Sequence, residues 1–250
     1  MSNRPRDGYT LAWSYGGGVQ STAIACLVTN GTLPVPDIVV MADTGREASI
    51  VWRYLREHVS PLLKTVGCVV ETAEHSLATV DLYSFSGKLL IPAYTKRGDK
   101  MGQLPTYCSV EWKRRVVRRY LRQRGVKKCD LWIGITTDEA HRVKDADVAW
   151  ITHRWPLIDL NMKRADCVRV IAEAGLPPAP RSSCWMCPFR GAEEWAGLEA
   201  MDFKAAQALD EKIREHDPDV YLLRSGQPLT REAASGKGGT DGCEGGYCWT

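Results

Sequence analysis

The sequence predicts an α/β protein: a twisted, mainly parallel sheet with helices on both faces, in a single domain that ends in a cysteine-containing tail. Three observations predict it. Apolar runs of strand length at residues 9–13, 37–41 and 131–135 alternate with helix-compatible stretches at 22–28, 49–59, 113–125 and 163–175. After its opening aspartate, the run Asp37-Ile-Val-Val-Met41 has no polar alternation, which marks a strand covered on both faces. The first run passes into its helix through Ser14-Tyr-Gly-Gly-Gly-Val-Gln-Ser21, a glycine turn at a strand-to-helix junction.

A chain of 250 residues can bury roughly three quarters of its unfolded surface, so its core needs no disulfides. A formal net charge of +3 argues neither for nor against nucleic acid until the charges are placed. Residues 1–8 are polar and basic, with no apolar signal region, and no apolar run reaches membrane-spanning length. The expectation is a cytosolic protein that does not engage a membrane. In that compartment the nine cysteines are not a disulfide framework. Cys26, Cys68, Cys129 and Cys167 lie in apolar or helix-like contexts and are expected to pack as small hydrophobes. Cys108, Cys184, Cys187, Cys243 and Cys248 lie among Gly, Ser and Pro, where loops form.

The glycine turn aims free backbone N–H groups and the positive end of a helix at one spot, an arrangement that binds phosphate or another anion. Gly16, Gly17 and Gly18 let the backbone approach closely and take positive φ without a Cβ penalty, while Ser14 and Ser21 flank the turn with hydroxyls. It has neither the Lys-Ser/Thr ending of the usual P-loop nor the Rossmann spacing. The alternative is an ordinary βα turn with a serine cap. The 37–41 strand ends in Ala42-Asp43-Thr44-Gly45, at the carboxyl edge where open α/β sheets hold their ligands. Asp43 is therefore either a ligand contact or a cap for the helix at 49–59.

Residues 66–71 form the third expected strand. Residues 74–103 show no periodicity and carry Gly87, Pro92, Gly98 and Gly102, the pattern of a functional lid or loop. Its end, Tyr94-Thr-Lys-Arg-Gly98, either meets an anionic substrate or is a solvated turn. From Lys113 to Lys128 there are nine basic residues and no acid. Val117, Tyr120 and Leu121 share one helical face, and Arg114, Arg118 and Arg122 line another. Like charges at that spacing cost about 0.2–0.5 kcal/mol per pair. A substrate phosphate, a nucleic acid or an anionic cluster would offset this; a solvated basic face is the alternative. After the 131–135 strand comes Thr136-Thr-Asp138-Glu139-Ala-His141-Arg142, whose arginine fork suits a phosphate or sulfate. His141 reads as a helix-surface residue. Further helices are expected at 163–175, with Ala165, Val168, Ile171 and Ala172 inward, and at 192–214, with Trp195, Leu198, Met201, Ala205 and Leu209 as its packing face.

Arg181-Ser-Ser-Cys184-Trp-Met-Cys187-Pro188 contains a Cys-x-x-Cys turn that holds two thiolates within one metal's bite, and Pro188 keeps the loop from becoming helix. Cys108 and a tail cysteine, Cys243 or Cys248, would bring the thiolates to four. Spacing alone does not separate zinc from iron–sulfur.

These residues carry a family resemblance. Ser14-x-Gly-Gly-Gly-x-Gln20-Ser21, Asp43-Thr44-Gly45, Gly134-Ile-x-x-Asp138-Glu139-Ala-x-Arg142 and Trp155-Pro-Leu-x-Asp159 resemble motifs of the PAPS (phosphoadenylyl sulfate) reductase family, of the PP-loop or adenine nucleotide alpha-hydrolase-like superfamily. The resemblance implies that residues 1–175 bind an adenine nucleotide, with ATP and Mg²⁺ at Ser14, Gly16, Gly17, Gly18, Gln20, Ser21, Asp43, Thr44 and Gly45. It implies that residues 176–250 form a cysteine segment, a helix and a tail packed on that domain. Iron–sulfur members have an upstream cysteine and a later Cys-x-x-Cys, which implies a [4Fe-4S] cluster on Cys108, Cys184, Cys187 and Cys243, with zinc as the alternative. This chain has one upstream cysteine where the adenylyl-sulfate reductases have an adjacent pair.

The function implied is ATP-dependent sulfur transfer. Asp43 and Arg142 act at the nucleotide, Cys243 serves as fourth ligand or as nucleophile, and Lys113, Arg114, Arg118, Arg122, Asp138 and Glu139 form the substrate or polyanion surface. Partners would be a sulfur donor and an acceptor, with nucleic acid fitting the basic helix at 113–128; monomer and homodimer both remain open. The runner-up is a thiol-dependent reductase of PAPS or adenylyl sulfate, and a zinc-containing nucleic-acid-binding module is the alternative of another class.

Overall fold

The computed structural model describes residues 6–74 and 82–235. The chain runs from β1 (Thr10–Ser14) through α1 (Val19–Thr29) to β2 (Ile38–Asp43). It continues through α2 (Ser49–Tyr54), a π-helical stretch at Leu55–Val59 and α3 (Ser60–Lys64) to β3 (Val70–Glu74). A hairpin of β4 (Tyr94–Arg97) and β5 (Lys100–Gln103) precedes a second helix, π-helical at Ser109–Arg114 and regular as α4 (Arg115–Gln123). Then come β6 (Cys129–Ile133), a 3₁₀ segment at Thr137–Arg142, β7 (Ile151–Arg154), α5 (Pro156–Asp159) and α6 (Arg164–Glu173). The described chain closes with α7 (Ala192–Ala196), α8 (Ala200–His216), β8 (Val220–Tyr221) and α9 (Arg231–Ser235).

The main sheet has the order β3-β2-β1-β6-β7, and each of its pairings is parallel. Alternate residues of its strands feed two cores. Leu11, Trp13, Val39, Met41 and Trp132 pack with α1, α3 and α6 on one face. Ala12, Val40, Leu131 and Cys129 pack with Val116, Val117 and Leu121 of α4 on the other. A sheet buried on both faces is what the unbroken apolar strands demand. The first three strands are laid outward on one side of β1 and β6–β7 on the other, so the order reverses between β1 and β6. Ligand crevices of open α/β sheets lie at that reversal, outside the carboxyl ends of the strands. The glycine turn leaves β1 there. Among the described residues no helix is long and apolar enough to cross a membrane.

Several expected elements move. β3 begins at Val70, later than the sequence predicts, because the preceding helix runs on to Lys64 and Gly67 turns it at φ +73°. Within the expected structureless stretch lies the β4–β5 hairpin, which pairs with β8. β5 is exposed along its length and β4 buries only Tyr94, so no apolar alternation announces them. In α6 the inward residues are Cys167 and Ile171, while Val168 is 51% exposed; the seam against α1 is a cysteine–isoleucine pair. The single helix expected at 192–214 breaks into α7 and α8 around Gly197, and its buried face is Trp195, Phe203, Ala206 and Ile213, with Met201 outside. Cys26, Cys68, Cys129 and Cys167 are buried as expected, and burial pushes the Cys129 and Cys167 thiols up to about 12.

Asp130, at the amino end of β6, anchors the segment before β1. Its carboxylate accepts Arg6 Nη2 at 2.6 Å and the Arg6 amide at 3.2 Å, with Arg154 Nε at 3.4 Å. Burial alone would raise its pKa. The hydrogen bonds from Arg6 and the charges of Arg154 and Arg6 overcome this and hold it below the ordinary value. A depressed carboxylate contributes stability that is complete above its unfolded pKa and is lost as pH falls through the native one. Asp130→Asn is expected to cost ~1–3 kcal/mol at neutral pH, less as the pH drops toward the acid range, measured by urea unfolding across pH.

Candidate functional site

The glycine turn is shaped by what surrounds it. Gly17 takes φ +76°, and a Cβ there would stand 2.5 Å from Val51 Cγ1. Gly16 N donates to Ser21 Oγ at 2.8 Å, so Ser21 folds back to close the turn. Gly18 is the N-cap of α1 and offers no side chain, which leaves the first-turn amides of that helix without a side-chain cap. The Ser14 hydroxyl, 3% exposed, has no hydrogen-bond partner, although buried polar atoms are rarely left unpaired. An orphan donor beside uncapped helix amides fits an anion such as a phosphate.

Across the reversal point, the loop after β6 meets this turn. Gly134 is close enough to α1 that a Cβ would stand 3.2 Å from that of Gln20. Gln20 Nε2 donates to Glu139 Oε2 at 2.8 Å, and Arg142 Nη1 donates to Glu139 Oε1 at 2.7 Å. Gln20 Oε1 in turn accepts Arg164 Nη1 at 3.4 Å. Gln20, Glu139 and Arg142 thus form one network at the crevice, and the buried Arg142 Nε is left without a partner. Asp138 instead receives the Arg164 amide at the start of α6, at 3.2 Å. Asp43 ends β2 in an Asx turn, its Oδ1 accepting the Gly45 amide at 2.7 Å. Thr44 is fully buried, with its hydroxyl 3.6 Å from Cys184 Sγ.

Cys108, Cys184 and Cys187, from two distant segments, line one cavity of about 40 Å³ together with Ile91, Trp112 and Lys113. Pro188 lies on its wall, and the Cys187 amide closes the turn onto Cys184 O at 3.0 Å. Arg190 braces the turn from outside, its Nη2 donating to the carbonyls of Cys184 and Ser183 at 3.0 and 3.1 Å. Among the described residues no three His, Cys, Asp or Glu side chains converge as they would on a single ion. Thiolates are the donors a [4Fe-4S] cluster takes, and three thiols on the wall of one cavity are of that donor type. Cys243 and Cys248 lie outside the described residues.

The cysteine turn rests directly on the glycine turn. Ser182 Oγ donates to Gly16 O, and a Cβ on Gly18 would stand 3.1 Å from Ser182 Cβ. The strand-like contact of Glu47 with Cys184 and the Trp185 amide bonded to Arg46 O at 2.8 Å join the same turn to the 43–48 loop. Sequence reasoning passed over Glu47, Ser182 and Ser183, although the serine pair immediately before Cys184 was a readable signal. Glu47 is buried and touches everything at this junction: Ser182 Oγ at 3.3 Å, Cys184 Sγ at 3.7 Å and Lys113 Nζ at 3.8 Å. Burial, and then the charge of Glu47, push the Cys184 thiol up to about 12 against the pull of Lys113. Glu47→Gln keeps the shape and removes the charge. It is expected to cost ~1–3 kcal/mol and to speed the reaction of Cys184 with a thiol reagent as the turn loosens.

The basic helix has partners inside the chain. Arg114 Nη1 lies 3.8 Å from Asp147, and Arg118 bonds the same carboxylate, whose pKa that bond draws down to about 2. Arg122 donates to Val126 O at 3.1 Å and lies 3.8 Å from the centre of the Trp150 ring. Of the four basic positions singled out, Lys113 is the one on the cavity wall.

No protein-family model and no curated protein matches the chain in sequence. Among solved structures, it is similar to the U34-tRNA thiolase NcsA from Methanococcus maripaludis, determined with its [4Fe-4S] cluster, with a TM-score of 0.50 at 11% identity, over 87% of this chain and 70% of that one. The two share a parallel sheet flanked by helices on both faces. At that identity the likeness concerns the arrangement of sheet and helices.

Proposed function

We propose that the protein is a PP-loop sulfur transferase, similar to iron–sulfur members of the PAPS reductase family. The observation that carries this reading is the shared wall: Ser182 bonds the glycine turn while the adjoining Ser183 and Cys184 line the cysteine cavity. A nucleotide phosphate on one side and sulfur chemistry on the other then meet within one crevice. The orphan hydroxyls of Ser14 and Ser183, both buried, add donors with nothing else to bind.

In this reading the uncapped amides of α1, Ser14 and Ser21 hold the pyrophosphate of ATP, with Mg²⁺ offsetting its charge. Gln20 and Glu139 hold Arg142 toward the phosphates, and Asp43 stands at the neighbouring strand end. An acceptor oxygen attacks the α-phosphorus, the bond to the β-phosphate oxygen breaks, and pyrophosphate leaves. A sulfur nucleophile then attacks the acceptor carbon, and the carbon–oxygen bond breaks to release AMP, a far better leaving group than the bare oxygen. A [4Fe-4S] cluster on Cys108, Cys184 and Cys187 would supply the sulfur-handling chemistry, with Cys243 as fourth ligand or nucleophile. The structurally similar thiolase acts on U34 of tRNA, which makes a nucleic acid the acceptor class to test first.

Anaerobically prepared protein should release pyrophosphate from ATP only when an acceptor is present. Sulfite release from PAPS or adenylyl sulfate without ATP turnover would replace this reading with the reductase.

A further inference from the structure

Two hairpins leave the body of the protein at the wall of the cysteine cavity. The first spans 82–90. Leu90 N donates to Leu82 O at 2.7 Å, Tyr83 and Leu89 form an antiparallel bridge, and Ser84 N donates to Lys88 O at 2.8 Å. Ser84 Oγ accepts the Lys88 amide and also meets Ser86 Oγ, both at 3.0 Å. The turn is thus held by its own bonds. At its tip Phe85 is 112% exposed. Single exposed apolar residues are ordinary on a protein surface. This one is distinguished by its place, an ordered turn rooted at the site.

The root is specific. Leu90 O accepts the amides of Tyr107 and Cys108 at 3.1 and 2.9 Å, and the next residues, Ile91 and Pro92, line the cysteine cavity. The second hairpin, β4–β5, starts from the same place and is tied back by Leu104 N to Ala93 O at 2.8 Å. Lys96, Arg97 and Lys100 are exposed around its tip, where Asp99 is the acid among them. Tyr107, 39% exposed, stands beside Cys108 at the common root. An extended chain rises about 3.3 Å per residue, so Phe85 reaches at most ~17 Å from Leu90. A partner touching the tip and the cavity spans several nucleotides.

Aromatic faces for bases and cations for the backbone are the two requirements of single-stranded nucleic acid recognition. A duplex exposes a base face to a protruding ring only after a step is unstacked, at a cost of about a few kcal/mol. We propose that hairpin 82–90 is the docking arm for a single-stranded or looped nucleic acid. Phe85 and Tyr107 stack on unpaired bases, while Lys96, Arg97 and Lys100 hold the phosphates. The proposal rests on the sulfur-transfer reading, whose acceptor it specifies, and it moves the main contact from the basic helix to the hairpins, where Arg97 has a loose, exposed ion pair with Asp219 at 3.7 Å for a phosphate to replace.

The test uses the full chain, prepared anaerobically, with a short fluorescein-labelled RNA, DNA of the same sequence, and the duplex of each. The single strands should bind more tightly than either duplex, and a preference for RNA over DNA would mark contact with the 2′-hydroxyl. Phe85→Ala should weaken single-strand binding about tenfold, the size of one lost stack, and Phe85→Trp should restore it. Charge reversal at Lys96, Arg97 and Lys100 should flatten the salt dependence, by about 0.7 in slope for each phosphate no longer neutralised. Wild-type affinity in Phe85→Ala overturns the proposal. So does a change in oligomeric state in that variant with oligonucleotide affinity unchanged, which would give the ring to a second copy of the chain. ATP titration by calorimetry runs in parallel: a wild type that binds the single strands but not ATP sinks the transferase reading and leaves the arm standing.

Discussion

Alanine in place of Cys108, Cys184 or Cys187 is expected to abolish metal binding, whereas alanine at Cys26 or Cys167 should leave it intact. Anaerobically purified wild type should be brown and carry about four irons, the content of a [4Fe-4S] cluster. The contrast follows from placement. Cys108, at the start of the π-helical stretch, and Cys184 and Cys187, in a loop, border one cavity, while Cys26 and Cys167 are buried within helices away from it and serve as packing. Loss of a core cysteine should lower stability by ~1–2 kcal/mol, a small-cavity effect, without touching the iron count. Loss of a cavity cysteine should bleach the protein. Cys243→Ala and Cys248→Ala divide the remaining roles: iron lost means a ligand, and iron kept with turnover abolished means a nucleophile. Stoichiometric zinc with no iron, in protein never exposed to air, would overturn the cluster and the mechanism built on it.

The features read correctly from sequence are those that leave a local mark. Three consecutive glycines between an apolar run and a helix can hardly be anything but a tight junction, and it stands where the strand order reverses. The fold brings Cys108 and the Cys-x-x-Cys turn to one cavity, although Cys108 stands at the start of a π-helical stretch and not in the loop its composition suggested. Features set by contacts between remote segments were invisible. Glu47 meets Ser182 across 135 residues, and nothing near either one announces the other. The basic helix read as a polyanion surface because its counter-charge, Asp147, lies 29 residues beyond Arg118 in a loop with no periodicity. Edge strand β7 and the β4–β5 hairpin pair through backbone bonds, which polar residues make as readily as apolar ones.

Gly18→Ala is expected to reduce ATP affinity at least about tenfold while the protein stays folded, and the reason is close approach. Gly18 has φ −110°, which any L-residue adopts, so the backbone there is not strained by a side chain. The added Cβ would nevertheless stand 3.1 Å from Ser182 Cβ and 3.3 Å from the Ser182 backbone nitrogen. Backbone cannot rotate away as a side-chain end can, so the 181–183 segment must give by a few tenths of an ångström. That displaces Ser182 against Gly16 O and shifts the orphan hydroxyl of Ser183 relative to the turn. Gly17→Val is a harsher and less informative change. Its φ of +76° and a Cβ only 2.5 Å from Val51 Cγ1 destabilise the fold itself, by ~1–2 kcal/mol for the backbone and ~1–3 for the overpacking. Ser14→Ala completes the set: it removes a hydroxyl that bonds nothing in the protein, so stability should hold while ATP affinity falls about tenfold. Calorimetry with ATP, beside urea unfolding of each variant, separates the two effects. Wild-type ATP affinity in both Gly18→Ala and Ser14→Ala would remove the phosphate from this turn.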